Sequence, residues 1–378
     1  MFERKSAPYL FHGQTTSLCD KCLAAVPAKV IIEGDNVYYQ KRCRTHGVRK
    51  ALVSTDAAYF LRCLDWVKPG DRPDVFQTRI DLGCPYDCGL CPDHEQHSCL
   101  ALIEVNEHCN LTCPVCFADS SPIKDGTRSL EEIERMLDTL VASEVEPDLL
   151  QISGGEPTLH PQIFDIIRAA KARPIRHIML NTNGLKLARD PEFVDRLAEF
   201  MPGFEIYLQF DSLDAAVLKE LRGADLTRIR QQALENLERA GISTTLVAVI
   251  KNGLNDGEVG EIIDHALQWS CVRGVTFQPI QDAGRNEKFD PNRDRTLLTD
   301  IRRAIIQSDN AFTDADVIPL PCNPESIAIG YALRSGTDIA PVTGFLPREV
   351  LVDAVPNTVS FERYPDLKKK MFEFFSLE

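Results

Sequence analysis

The chain of 378 residues has no run of about 18 consecutive apolar residues, so no helix is expected to cross a bilayer. No apolar segment follows the opening MFERKSAPYL, so no export signal is expected and a cytoplasmic protein is. Positive charge is in deficit. Lys and Arg number 42 against 56 Asp and Glu, a net charge of -14. A nucleic acid is therefore not expected as the main partner, because phosphate binding depends on neutralisation by Lys and Arg. Low-complexity tracts are absent, and no repeat occurs beyond a strand–helix unit. Cysteine is scarce in the second half, where only Cys271 and Cys322 follow Cys116.

What is present is an ordinary globular composition, 44% hydrophobic, long enough for two or three domains. Eleven of the 13 cysteines lie at or before Cys116. Without an export signal they read as metal ligands rather than disulfides. From about Leu100, short apolar runs rich in β-branched residues alternate with amphipathic helical patterns. The strand candidates are 100–106, 149–154, 177–182, 204–210, 244–250 and 274–280. Ser129 and Glu132 form a capping box at the head of the first helix. This order predicts an α/β fold with a parallel sheet, either a partial (β/α)6 barrel or an open doubly wound sheet. The expected domains are a Cys-rich metal-binding region over 1–98, the α/β core over 99–285 and a short C-terminal extension over 286–378, with a final helix near 365–376.

In such folds the reactive groups gather at the carboxyl ends of the strands. There the sequence places CNLTCPVC, with Cys109, Cys113 and Cys116, then GGEP at 154–157, then NTNG at 181–184. Three thiolates can hold three irons of a four-iron cubane and leave the fourth open. A zinc or ferredoxin-type loop with a distant fourth ligand is the plainer alternative for the triad taken alone. The triad followed by GGEP on successive units resembles the radical S-adenosylmethionine (radical SAM) superfamily.

The resemblance implies the barrel form of the fold. It also implies a 4Fe-4S cluster on Cys109, Cys113 and Cys116, with S-adenosylmethionine on the open iron, cleaved reductively to a 5′-deoxyadenosyl radical. It implies Phe117 near the adenine, and Gly154, Gly155 and Glu156 around the methionine amino group. Glycines let backbone approach a ligand closely, and Glu156 can accept from an ammonium. Asn181, Gln209 and Asp211 are candidate ribose contacts, with Asn183 and Gln278 as weaker ones. Turn chemistry is the plain reading of NTNG and of Asp-Ser.

The same spacing recurs earlier as Cys84, Cys88 and Cys91, with Cys99 eight residues on. Four thiols predict a closed auxiliary cluster, a cubane rather than zinc, for electron relay or substrate placement. His94 and His97 lie in that loop and are left out, because thiolates outcompete imidazole for iron–sulfur clusters. Cys19, Cys22, Cys43 and His46 read as two knuckles joined by a hairpin, holding one Zn or Fe. Cys63, Cys271 and Cys322 read as core thiols, and Cys322 alone leaves PLPCNP without a ligand set.

The order of knuckle, auxiliary loop and radical triad resembles a subgroup known from methanogenic archaea and some bacteria, which includes tetraether lipid synthases and pterin methyltransferases. It implies functionalisation of an unactivated carbon by C–C bond formation, either coupling of lipid chains or methylation of a pterin-like acceptor. The implied partners are a small-molecule or lipid substrate, an electron donor such as ferredoxin or flavodoxin, and, for a lipid, a peripheral membrane contact. A radical oxidase acting on a peptide or small molecule is the rival enzyme, and an iron–sulfur electron carrier is the rival of another class.

Overall fold

A computed structural model describes residues 7–67, 72–83, 86–87, 89, 97–286, 288–308, 311–320, 323–346 and 369. Cys84, Cys88, Cys91, Cys322 and, apart from residue 369, the expected helix at 365–376 lie outside these residues.

The first lobe is an antiparallel meander of β1 (Leu10–Leu18), β2 (Ala25–Glu33), β3 (Asn36–Cys43) and β4 (Gly47–Ser54). Glu33 pairs with Asn36, leaving Gly34 and Asp35 as a two-residue turn, with Gly34 at φ 59°. The expected hairpin is thus two strands of four. Its core is small: Val30, Ile32, Val37 and Phe60, the last from α1 (Ala57–Arg62).

The second lobe is a sheet of six parallel strands in sequence order: β5 (Leu100–Glu104), β6 (Leu149–Ser153), β7 (His177–Thr182), β8 (Phe204–Gln209), β9 (Thr244–Ile250) and β10 (Val272–Pro279). Sequential parallel pairing requires a crossover after every strand. The crossover helices are α2 (Leu130–Glu144), α3 (Ile163–Lys171), α4 (Leu185–Arg189), α5 (Pro191–Ala198), α6 (Ala215–Arg222), α7 (Thr227–Ala240) and α8 (Val259–Ala266). The Ser129–Glu132 capping box is present. Alternate strand residues, among them Ile152, Leu180, Ile206 and Ala248, join the helices in one apolar core. The opposite face carries Leu149, Met179, Tyr207 and Val247 as its apolar layer.

The strands form an open sheet rather than a hydrogen-bonded ring, since β5 and β10 are its two edges. Its carboxyl end is nevertheless drawn together. Backbone bonds of 2.9 Å run both ways between Cys116, beyond β5, and Arg285, beyond β10. That arrangement fits the partial barrel. Helix α9 (Leu298–Gln307) then docks the first lobe: Thr55 Oγ1 donates to Asp300 at 2.6 Å, and Arg302 stacks over the Tyr59 ring at 4.2 Å. After α9 the extension carries two antiparallel pairs, β11 (Val317–Pro319) with β12 (Ala328–Gly330) and β13 (Ala332–Ser335) with β14 (Asp338–Pro341).

Candidate functional site

The site grows out of the end of β5. There the chain enters a loop that returns along itself, with bridges Asn106–Thr127 and His108–Ser121. Cys109 and Cys113 are 7% and 8% exposed, and Cys116 is half-buried. Burial pushes the Cys109 thiol up to about 11 and raises Cys113 as well, with Arg222 opposing it there. Buried thiols of this kind are poor nucleophiles. A cation in contact would reverse that, because it favours the thiolate.

Gly154 and Gly155 end the second strand unit directly on this loop. A Cβ on Gly155 would sit 2.3 Å from the His108 carbonyl, and one on Gly154 2.5 Å from that of Asn106. The Gly155 and Glu156 amides donate to those same carbonyls at 2.8 and 2.9 Å. The glycines therefore allow one loop to lie against another, a nearer reason than access for a ligand. Glu156 is 1% exposed. Its carboxylate accepts from the Thr158 amide and hydroxyl at 3.1 and 2.6 Å, the Thr182 hydroxyl at 2.8 Å and the Asn183 amide at 2.8 Å. It knits the GGEP turn to the end of β7. An ammonium would share this carboxylate with four protein donors. The Asn106 side-chain oxygen, by contrast, is a buried acceptor without a protein donor.

The ribose candidates lie in one hydrogen-bonded row across the strand ends. Asn181 donates to Ser153 at 3.2 Å, Gln209 donates to Asn181 at 2.9 Å, and Arg222 donates to Gln209 at 3.2 Å. Asp211 has a different setting. It is fully buried at φ 69°, and Arg222 grips both its oxygens, from Nε at 2.7 Å and from Nη2. A ribose hydroxyl reaches Asp211 only if Arg222 moves. Asn183 touches the cysteine loop itself, donating to Asn110 at 2.8 Å with Cys109 Sγ at 3.9 Å. Gln278 donates to the Tyr207 hydroxyl at 3.3 Å on the inner face. Phe117 is 78% exposed at the rim.

Two pairs of residues contribute to the site without a sequence signal. Gly284 and Arg285, in the polar stretch after β10, clamp the cysteine loop. The Arg285 guanidinium donates to the carbonyls of Cys113 and Ser120 at 2.6 and 2.7 Å and to Asp119 at 3.0 Å. A Cβ on Gly284 would lie 2.2 Å from the Phe117 carbonyl. Arg222 and Arg230 are the others, two buried guanidinia on crossover helices sharing Asp211, with Arg230 3.7 Å from it. Arg side chains on amphipathic helices ordinarily face water, so nothing in the pattern marks these two.

The knuckle residues come together as expected. Cys19, Cys22, Cys43 and His46 place ligand atoms within 4.8 Å of one another, the one such group among the described residues. His46 Nδ1 lies 3.5 Å from Cys19 Sγ and 3.6 Å from Cys43 Sγ. The backbone amides of His46 and Thr45 hold the Cys43 thiol down at about 6. Cys63 and Cys271 are buried core thiols. Of the auxiliary set only Cys99 is described, half-buried just before β5.

Comparison with known proteins agrees with this geometry. Residues 103–266 match the model of the radical SAM superfamily, and residues 11–55 match the HMPTM N-terminal zinc ribbon domain. A 7,8-dihydro-6-hydroxymethylpterin dimethyltransferase of Methanocaldococcus jannaschii is 35% identical over 316 residues, covering 82% of this chain and 61% of that protein. A GTP 3′,8-cyclase of Synechocystis is 26% identical over 216 residues, covering 56% of this chain and 64% of the cyclase. The chain thus spans about three-fifths of the length of each. Among solved structures, SuiB of Streptococcus suis bound to its precursor peptide SuiA aligns at 20% identity with a TM-score of 0.45, over 55% of this chain and 45% of that one.

Proposed function

From the premise that residues 103–266 belong to the radical S-adenosylmethionine superfamily, we propose that the chain is a radical enzyme that methylates a pterin-like acceptor at carbon. When bound, a 4Fe-4S cluster and one S-adenosylmethionine would supply a carbon-centred radical for hydrogen abstraction, leaving that cofactor's methyl on methionine, so the transferred methyl would come from a separate one-carbon donor such as a second S-adenosylmethionine. Cys109, Cys113 and Cys116 are assigned as the cluster's protein ligands. The observation that carries the reading is the locking of the cysteine loop to the GGEP loop at the carboxyl end of the sheet, through Gly154 and Gly155.

The other residues have distinct tasks. Asn106 Oδ1, buried and without a donor beside Gly154, offers an acceptor for an ammonium. Glu156 keeps the turn rigid and adds negative charge beneath it. Asn181 and Gln209 present amides that can exchange their mutual bond for ribose hydroxyls, while Asp211 works through Arg222. Phe117 is an exposed ring able to cover an adenine. Arg285 and Gly284 hold the loop shut from the far side.

The acceptor is argued from the inner face of the sheet. Its apolar layer includes Tyr207, whose hydroxyl is bonded to Gln278, a polar pair apart from the amides given to the ribose. A hydrocarbon chain seated there would leave the donors and acceptors that this pair does not use for itself without partners, a cost of about 1–3 kcal/mol per group. A pterin offers them donors and acceptors along its ring edge. The relative named a pterin dimethyltransferase supports the same class. A Zn or Fe in the knuckle, an auxiliary cluster on Cys84, Cys88, Cys91 and Cys99, and an external electron donor such as ferredoxin or flavodoxin complete the proposal.

The test is anaerobic reconstitution with iron, sulfide and reductant, then incubation with S-adenosylmethionine and 7,8-dihydro-6-hydroxymethylpterin. Formation of 5′-deoxyadenosine with a methylated pterin is the expected outcome. Cleavage without methylation removes the substrate assignment. Absence of 5′-deoxyadenosine removes the enzyme reading and leaves an electron carrier.

A further inference from the structure

Helix α6 ends on the cysteine loop. The Val115 amide donates to the carbonyl of Leu221, the penultimate residue of the helix, at 3.2 Å. Gly223, at φ 79°, packs beside the same loop, where an added Cβ would lie 3.4 Å from the Thr112 carbonyl. Between these contacts stands Arg222, the last residue of α6, with its side chain 11% exposed. Its Nε and Nη2 hold Asp211, Nη2 also reaches Gln209 at 3.2 Å, and Nη1 donates to the Val115 carbonyl at 3.3 Å. Burial raises the Cys113 thiol, and the same guanidinium opposes that rise.

A buried ion pair with Asp211 accounts for two of the three nitrogens, since the guanidinium fork matches a carboxylate. It does not account for the third, which meets the loop two residues from Cys113. Nor does Asp211 alone neutralise Arg222, because Arg230 lies 3.7 Å from the same carboxylate. A buried cation that shares its anion is costly unless a further anion faces it. What Arg222 faces is Cys113. Three thiols on one loop fit an iron–sulfur cluster, whose thiolates carry negative charge and accept hydrogen bonds at sulfur.

We propose that Arg222 is a positioning residue of the radical site, holding the Cys113 end of the loop against Gln209 and Asp211 and raising the reduction potential of the cluster by a fixed positive charge beside that ligand. This rests on the assignment of Cys109, Cys113 and Cys116 as the cluster's ligands. One electron enters from an external low-potential carrier, with no bond made or broken and no proton moved. Arg222 offsets the negative charge that the electron brings. Net charge and hydrogen bonds to sulfur set the potentials of iron–sulfur clusters, so a fixed cation makes the reduced state easier to reach.

The test is a redox titration of the anaerobically reconstituted full chain. It follows the electron paramagnetic resonance of the cluster whose signal changes when S-adenosylmethionine is added. Arg222→Gln is expected to lower the midpoint, so that the ratio of reduced to oxidised cluster at a fixed poise falls about tenfold, or about 59 mV for one electron. Arg222→Lys is expected to recover most of the shift, because it keeps the charge and loses the fork. An unchanged midpoint in Arg222→Gln overturns the proposal, as does an equal shift in Arg222→Lys. A second measurement keeps Arg222 in place and so does not depend on a variant folding. With 15N-arginine labelling and no S-adenosylmethionine, pulsed spectra of the parent are expected to show a weak arginine nitrogen coupling at this cluster, which Arg222→Lys removes. Its absence in the parent overturns the proposal. A parent without any cluster that responds to S-adenosylmethionine removes the radical-enzyme reading and this inference together. A responsive cluster whose midpoint ignores residue 222 removes the inference alone.

Discussion

At the scale of the residue, Asp211 is the pivot of the site. It is fully buried, held by Arg222 on two nitrogens, and faces Arg230 at 3.7 Å. Burial lowers the Arg230 guanidinium to about 10 even with Asp211 opposing the shift. Removing the one anion strands two buried cations. Asp211→Asn is therefore expected to cost about 3–5 kcal/mol, the range for breaking a buried ion pair from one side. Asp211→Asn with Arg222→Met is expected to recover part of the loss, because the stranded charge goes as well. Urea unfolding of the three proteins measures this, and equal stability of Asp211→Asn and the parent would show that the pair is solvated. The sequence marked Asp211 as a site residue by its place after a strand. It could not show that the carboxylate faces Arg222, because a guanidinium on a later helix leaves no trace in local pattern. Cys109, Cys113 and Cys116 were legible as candidates for the opposite reason: groups that share one loop are close in sequence.

At the scale of the element, the knuckle sheet and α8 give two expectations. The four-stranded sheet buries few apolar side chains, so its order is expected to depend on a metal held by the gathered Cys19, Cys22, Cys43 and His46. Replacing Cys19 and Cys22 with Ser is expected to expose β1–β4 to hydrogen exchange while the parallel sheet stays protected. Unchanged exchange in that lobe would assign its stability to α9 instead. His265 on α8 is half-buried against Phe210 and Trp269, and that burial holds its pKa below the ordinary 6.5. Its unfolded form therefore binds a proton that the native form refuses. The contribution is complete above about pH 6.5 and is lost as pH falls toward the lower folded value. Stability is expected to fall as pH drops below about 6.5, and to fall less steeply in His265→Gln. Parallel slopes in the two proteins would assign the loss to other groups. The elements themselves were largely legible, as β7 and β9 show: 177–182 and 244–250 are apolar, β-branched and bounded by turns.

At the scale of the whole molecule, the sheet is open at its edges and closed by loops. Gly284, at φ 61°, lets the segment after β10 lie on the Cys116 and Phe117 carbonyls, and Arg285 ties it there. A methyl group at Gly284 would sit 2.3 Å from the Cys116 carbonyl, so backbone must move. Gly284→Ala is expected to lower iron retained by the 109/113/116 loop and to slow cofactor cleavage severalfold, with the secondary structure by circular dichroism unchanged. Wild-type iron and cleavage in that variant would show that the clamp is dispensable. The same scale joins the lobes, through Thr55, Asp300 and the buried Arg302.

The sequence by itself determined the alternation of strands and helices, the loops that carry cysteine, and the knuckle's four ligands. All of these depend on spacing within a few dozen residues, where periodicity and ligand reach act directly. Only the tertiary structure decided that GGEP's glycines serve loop-on-loop contact, that Glu156 and Asp211 answer protein donors before any ligand, and that residues 284–285 lock a loop more than 160 positions upstream. Each of these depends on which buried donor meets which buried acceptor once water is gone. That pairing is set by packing across the fold, and no local run of residues encodes it.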